Sequence, residues 1–215
     1  MTKAIYETDI QGDFCLPGGA LYIEGSDDPL HVVQELHIKA VLDDWIILGS
    51  ADSHLDNDKE LIQNGGKFPP HCMKGTRGQH RIDSVRGHSE IRVATSPVMS
   101  IYYGRYADSV TLEPRQPIIF EKQTTDVRDN PYFSTVIVKC VEALDMTDIY
   151  VVGFATDYCV LDAVFGLHRV KKEFNIDFNI HVVTDAIQAV NADDGAQALA
   201  EMSRIANRIA SRDIE

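Results

Sequence analysis

Several features are scarce in this chain, and each scarcity removes a class of function. No apolar run in the sequence approaches the roughly 20 residues of a membrane-spanning helix, so no membrane partner is expected. Basic residues are few: 20 Lys and Arg stand against 33 Asp and Glu, a formal charge of −13. With no Lys/Arg cluster, that balance argues against nucleic acid or an anionic membrane surface as a partner. Four cysteines, Cys15, Cys72, Cys140 and Cys159, are widely scattered without CxxC spacing, and they read as free thiols rather than a disulfide framework. The start, Met1 to Glu7, enters a strand-like pattern with no secretory h-region, so a cytoplasmic protein is expected. Repeats, low-complexity tracts and linkers are also missing. The 215 residues therefore fit one domain, 1–215, with room for a sizeable core.

What is present is an alternation of short apolar runs and helical patterns. Strands are predicted at Ala4 to Asp9, Trp45 to Ala51, Pro117 to Phe120, Ile149 to Gly153 and Ile180 to Val183. Helices are predicted over about Pro29 to Asp43, Tyr132 to Leu144, Asp157 to Lys171 and Ala192 to Arg208. This alternation indicates parallel strands covered by helices, the doubly wound α/β class, whose ligands bind at the carboxyl ends of the strands. Two long segments, between Asp52 and Gly87 and between Lys122 and Asn130, break the pattern. Long irregular segments inside compact domains are usually functional or disordered.

Cys159 follows the apolar run Ile149 to Gly153, just after Thr156 and Asp157, both good N-cap residues. That places it in a first helical turn, where free N–H groups and the helix dipole favour a thiolate, the nucleophilic form. Most free cysteines are simply small buried hydrophobes. Two more polar residues close predicted strands: Asp9 after the first and Lys122 after the third. Taken singly, such an Asp is usually a turn or cap and such a Lys is usually solvated. Jointly, at strand ends that converge on one sheet edge, they offer a nucleophile, a base and a charge stabiliser.

A second group has the character of a metal site. Asp52 and His54 follow the second strand at i and i+2, so in extended geometry both face one side. His71 comes later in the same long segment, and Glu60, between them, could supply a fourth ligand. Two imidazoles and a carboxylate with open positions suit Zn²⁺, Fe²⁺ or Mn²⁺ at a catalytic site. Eight histidines in the chain would also leave some in loops by chance.

Taken in order, these segments resemble the nicotinamidase branch of the isochorismatase-like cysteine hydrolases. Asp9-Ile10-Gln11-Gly12-Asp13-Phe14 is similar to the family's DxQxDF; Asp52-Ser53-His54 and Pro70-His71-Cys72-Met73-Lys74-Gly75-Thr76 resemble its DxH and HCxxGT segments; Gly153-Phe154-Ala155-Thr156-Asp157-Tyr158-Cys159-Val160 resembles GxATDxCV. The resemblance runs from residue 4 to about residue 185. It implies a three-layer α/β/α fold around a mostly parallel six-stranded sheet. It also implies a triad of Asp9, Lys122 and Cys159, and a divalent metal, zinc first with iron or manganese as alternatives, held by Asp52, His54 and His71. A non-proline cis peptide at Phe154-Ala155 would turn the Ala155 and Cys159 N–H groups into an oxyanion hole. Phe14 and Phe68 would wall the substrate ring, although plain core packing accounts for them equally well. The implied reaction is hydrolysis of nicotinamide to nicotinic acid and ammonia through a Cys159 thioester, with the metal positioning the pyridine nitrogen, in a chain that often forms homo-oligomers.

The chain departs from that pattern in places. Glu7 and Thr8 stand where the family usually has aliphatic residues, and Gln123 to Pro131 lacks the aromatic-Ser-x-Phe pattern that usually borders the substrate. The competing expectations are a related cysteine hydrolase of another small amide or carbamoyl compound and, from a different class, a non-catalytic metal-binding scaffold. Tyr102, Tyr103 and Tyr106, in a polar insertion before Lys122, are assigned to the surface.

Overall fold

The computed structural model describes residues 1–86, 90–95 and 116–215. Tyr102, Tyr103 and Tyr106 lie outside the described residues. Seven strands pair among those described: β1 (Thr2–Thr8), β2 (Ile46–Asp52), β3 (Ile91–Val93), β4 (Ile118–Lys122), β5 (Met146–Phe154), β6 (Asn179–Gln188) and β7 (Asn207–Ile209). Their order is β3-β4-β2-β1-β5-β6-β7 and every pairing is parallel.

Helices cover both faces of this sheet, as parallel strands require. On one face α2 (Asp27–Leu42) sets Leu30, Val33, Leu36 and Ala40 against Ile5, Ile47, Tyr150 and Val152. On the other, α3 (Phe133–Leu144), α4 (Leu161–Glu173) and α5 (Ala192–Met202) pack Ile137, Cys140, Leu167 and Met202 against Tyr6, Leu48, Phe120 and Val151. Alternate strand residues thus enter opposite layers, and β2 is buried along its whole length because it has two apolar faces to satisfy. A short helix, α1 (Gly12–Cys15), follows β1 directly.

The doubly wound three-layer class is therefore the class found, with two differences. The sheet has seven strands rather than six, and the helix expected over Ala192 to Arg208 stops at Met202. Asn207–Ile209 instead pair with His181, Val182 and Val183 of β6. The apolar spacing of Met202, Ile205 and Ala206 continues past the helix end, so the pattern alone gives no stop. The open edge of β6 supplies backbone partners that local periodicity cannot register. β3 is three residues long, too short for a periodic signal.

Going outward from the centre, the order turns back at β1: β2 and β4 lie to one side, β5 and β6 to the other. The carboxyl ends of β4, β2, β1 and β5 are neighbours at this switch point, where open α/β sheets form their crevice. The long segment after β2 is held beneath it by a buried ionic anchor. Glu7, inside β1, accepts from Arg81 and lies 2.6 Å from His37 Nδ1 on α2, while the other Arg81 nitrogen donates to Glu90 at 2.9 Å. This explains a charged residue at a strand position expected to be aliphatic. Glu7 and Arg81 are essentially inaccessible, and a buried charge that loses its partner costs about 3–5 kcal/mol. Glu7→Ala should therefore destabilise the fold by about that amount in chemical denaturation, whereas Glu24→Ala, at an exposed position, should stay within about 0.5 kcal/mol.

Candidate active site

Asp9 follows the last residue of β1, Lys122 is the last residue of β4, and Cys159 sits in a five-residue π-helical turn, Thr156–Val160, between β5 and α4. The three strand ends bring them together. Lys122 Nζ lies 2.9 Å from Asp9 Oδ2, an ion pair out of hydrogen-bond alignment, and 3.4 Å from Cys159 Sγ. The same ammonium donates to Asp52 Oδ1 at 2.5 Å and to the Thr124 carbonyl at 3.1 Å. Ser50, two residues before the end of β2, donates to Asp9 Oδ1 at 2.7 Å. Gly153 allows this closeness: its φ is +114°, and a Cβ there would stand 2.1 Å from the Thr8 carbonyl oxygen. Only glycine lets β5 and β1 lie together at that point.

Burial governs the ionisation of these groups. It pushes the Asp9 carboxyl up against the opposing pull of Lys122, with Asp52 reinforcing the rise. It also pushes the Cys159 thiol well above its usual value, again against Lys122, while Asp9 and Asp52 add to the rise. For Lys122, burial works downward, but Asp52 and Asp9 outweigh it and keep the ammonium charged. Cys159 does stand in the first helical turn, in a π-helical turn that runs directly into α4, but its burial opposes a thiolate there, and the two carboxylates beside the sulfur oppose it further.

The second group gathers around Asp52, the last residue of β2. Its Oδ2 faces His71 Nε2 at 3.5 Å and His54 Nε2 at 3.8 Å, and the ligand atoms of the three residues lie within 4.8 Å of one another. His71 Nδ1 is 2.8 Å from the Pro69 carbonyl, which can only accept, so Nδ1 donates there and Nε2 is left as the ring's ligand atom. His54 Nδ1 likewise faces the Asp58 carboxylate at 3.1 Å, and its buried Nε2 has no hydrogen-bond partner. Glu60 Oε2 stands 3.4 Å from that same nitrogen. Burial alone would lower His54, yet the carboxylates of Asp52, Glu60 and Asp58 hold it above its usual value. Burial and Asp52 raise Glu60 in turn. Two imidazole Nε2 atoms turned toward one carboxylate, one of them without a hydrogen-bond partner and amid crowded negative charge, fit a divalent cation. Asp58, which buttresses His54, was not singled out in the sequence, although its spacing four residues after His54 is a signal that could have found it.

A cavity of about 300 Å³ opens between the two groups, reaching Cys159 and Ala155 on one side and Asp52, Glu60 and His71 on the other. The Phe154–Ala155 peptide bond is cis, as the resemblance implied. Phe14 and Phe68 both line the cavity, edge-on to His71 at 5.6 and 5.9 Å between centroids. Tyr158 was not anticipated. It meets Phe68 edge-on at 5.7 Å and stands half-exposed at the mouth. Thr125, Leu21, Ile23 and Val190 also line it, from three separate segments. Asp157 fixes the last of these, its two carboxylate oxygens accepting from the Val190 and Asn191 N–H groups at 3.0 Å each. Nothing in the local sequence reports such contacts across more than 30 residues.

Comparison with known proteins agrees with this geometry. The isochorismatase domain family matches residues 104–213, just over half the chain. The nicotinamidase/pyrazinamidase of Mycobacterium tuberculosis is 24% identical over 204 residues, covering 93% of this chain and 94% of its own length. Among solved structures, the pyrazinamidase of Pyrococcus horikoshii in complex with zinc superposes with a TM-score of 0.72 at 21% identity, over 98% of this chain and 99% of that one. PnC1 from L. infantum in complex with nicotinate superposes with a TM-score of 0.73 at 16% identity, over 98% and 93%. The matched domain and the strand-end geometry agree, and the chain belongs to the isochorismatase family.

Proposed function

We propose that this protein is a metal-containing cysteine amidohydrolase that converts nicotinamide to nicotinic acid and ammonia. The observation that carries this reading is the approach of Asp9 and Cys159 to the one buried ammonium of Lys122, beside a cavity lined by Cys159 together with Asp52 and His71 of the second group. The names of relatives, nicotinamidase/pyrazinamidase and a nicotinate complex, point to the same substrate class.

Cys159 enters the reaction as the thiol and Asp9 as the base. As sulfur attacks the amide carbon, the thiol proton passes to Asp9, whose raised affinity for a proton suits a base inside a dry site. The transfer neutralises Asp9 and moves its negative charge to the sulfur, where Lys122, 3.4 Å from Sγ, balances it as the attack proceeds. The carbonyl oxygen, now an alkoxide, is received by the Ala155 and Cys159 N–H groups. Asp9 then gives its proton to the departing nitrogen, the C–N bond breaks, ammonia leaves and a thioester remains on Sγ. Asp9 next takes a proton from an attacking water; the C–S bond breaks, the acid is released and the thiol is restored. Asp52, His54 and His71, with Glu60 at their side, would hold a divalent metal, zinc first. When bound there, the metal offers an open position to a ring nitrogen and so orients the amide. Phe14, Phe68 and Tyr158 present ring edges and faces suited to a flat heteroaromatic acyl group.

A second reading, a hydrolase of another small amide or carbamoyl compound, is favoured by one observation. Thr125, in the segment that lacks the aromatic-Ser-x-Phe pattern, forms part of the cavity wall.

Purified protein should release ammonia from nicotinamide, and Cys159→Ala should cut the rate by about 10³-fold or more. Asp9→Asn should cost about 10²–10⁴-fold without unfolding the protein, because Asn accepts the Ser50 hydroxyl and tolerates the left-handed φ of +49° at this position. Cys159-dependent release from carbamoyl compounds but not from nicotinamide would move the substrate. No release from either panel would refute the enzyme. Exhaustive chelation should lower the rate, and readdition of zinc, iron(II) or manganese should restore it; full activity in metal-free protein would contradict the metal's role.

A further inference from the structure

We propose that Asp13 is a positioning residue that sets the metal affinity of the Asp52–His54–His71 group; this rests on the reading of that group as a metal site. Asp13 lies in α1, half-buried, and its two carboxylate oxygens serve two different segments. Oδ2 accepts from the Cys72 N–H at 2.7 Å, and Oδ1 accepts from the Ala20 N–H at 3.1 Å. Cys72 directly follows His71 and adopts a left-handed φ of +43°, a conformation that non-glycine residues rarely take without outside support. The supporting bond is to a charged acceptor and so is of the stronger kind. His71 is thereby fixed from both directions: its ring by the Pro69 carbonyl, and its main chain by the residue that Asp13 grips.

The neighbourhood of Asp13 is shaped to keep the carboxylate in place. Its own N–H donates to the Gly78 carbonyl at 3.1 Å, and its carbonyl accepts from Leu21 N–H at 3.1 Å. A Cβ built on Gly78 would stand 2.2 Å from the Asp13 carboxyl carbon and from both its oxygens, its three nearest neighbours. Gly78 does not occupy the left-handed region, so the reason for glycine here is room for that carboxylate. Leu21 and Ile23, in the segment that Asp13 ties through Ala20, line the cavity. One side chain therefore holds the turn that aims a metal ligand and the wall that faces the substrate. Gln11, two residues earlier, acts in parallel on Asp52, accepting from its N–H at 2.7 Å and donating to its carbonyl at 2.8 Å.

Zinc affinity, measured by competition with a chromogenic chelator, tests this in wild type, Asp13→Asn, Asp13→Ala, Gly78→Ala and the Asp13→Ala/Gly78→Ala pair. Circular dichroism at the assay temperature identifies the folded variants. Asp13→Asn keeps the size of the side chain but can satisfy only one of the two N–H groups. It should bind zinc about 10–100-fold more weakly, the usual consequence of losing an outer partner of a metal ligand. Gly78→Ala should weaken zinc through the same carboxylate without altering Asp13 itself, since its methyl displaces that group, and in the paired variant it should add little to Asp13→Ala. Unchanged zinc affinity in folded Asp13→Asn or Gly78→Ala, whatever the loss in melting temperature, overturns the proposal. Additive losses in the pair also overturn it. Wild-type protein that takes up no zinc contradicts the metal reading itself.

Discussion

The site depends on one buried ammonium. Lys122 sits almost inaccessible at the end of β4, between the carboxylates of Asp9 and Asp52, with Cys159 sulfur in reach. An isolated ammonium at that depth would give up its proton or find a route to water. Two carboxylates and the Thr124 carbonyl make the charge tolerable, and in return it makes their burial tolerable. Removing Lys122 would leave both carboxylates uncompensated. Asp52 extends the arrangement, for it offers one oxygen to Lys122 and turns the other toward two histidine nitrogens. The proposed nucleophile and the proposed metal thus share a carboxylate, and neither half of the site is electrostatically independent of the other.

The sheet makes this possible by register. Asp52 and Lys122 are directly paired residues on adjacent parallel strands, and Thr8, just before Asp9, pairs with Gly153 near the end of β5. Four neighbouring strands therefore end around one small volume, β2 and β4 with Asp52 and Lys122 themselves, β1 and β5 just before Asp9 and the turn that carries Cys159. The long segment after β2 closes over that volume and is pinned at several depths. The Glu7–Arg81 pair anchors it beneath the sheet, Gln11 ties Gln79 and Asp52 together, and Asp13 holds Cys72. A segment of that length, with a single 3-10 turn at Ile62–Asn64 among its described residues, needs such pins to present His54 and His71 at fixed distance.

Much of this was legible in the sequence because the groups concerned sit where local pattern changes. Asp9, Lys122 and Cys159 each follow an apolar run, and Asp52 and His54 share a face through their spacing. Their ordered recurrence in a recognisable set of motifs gave the family, and the alternation of runs gave the layers. What escaped has a common cause in long-range contact. Tyr158, Thr125 and Val190 meet at the cavity from distant segments, and Asp13 reaches Cys72 across 59 positions. β7 forms because β6 has an edge to fill, which no periodicity in Asn207–Ile209 announces. The ionisation of Cys159 belongs with these: its place in a first helical turn is legible, but the burial that raises the thiol and the carboxylates that add to it come from distant segments.

The central claim is that Cys159 carries the acyl group during turnover. Acid quench of the enzyme mixed with saturating nicotinamide, followed by intact-protein and peptide mass spectrometry, tests it most directly. The account predicts a transient adduct of the nicotinoyl mass on the peptide containing Cys159, absent in Cys159→Ala and discharged by hydroxylamine. Steady ammonia release with no adduct at any quench time, or an adduct on another residue, would contradict it.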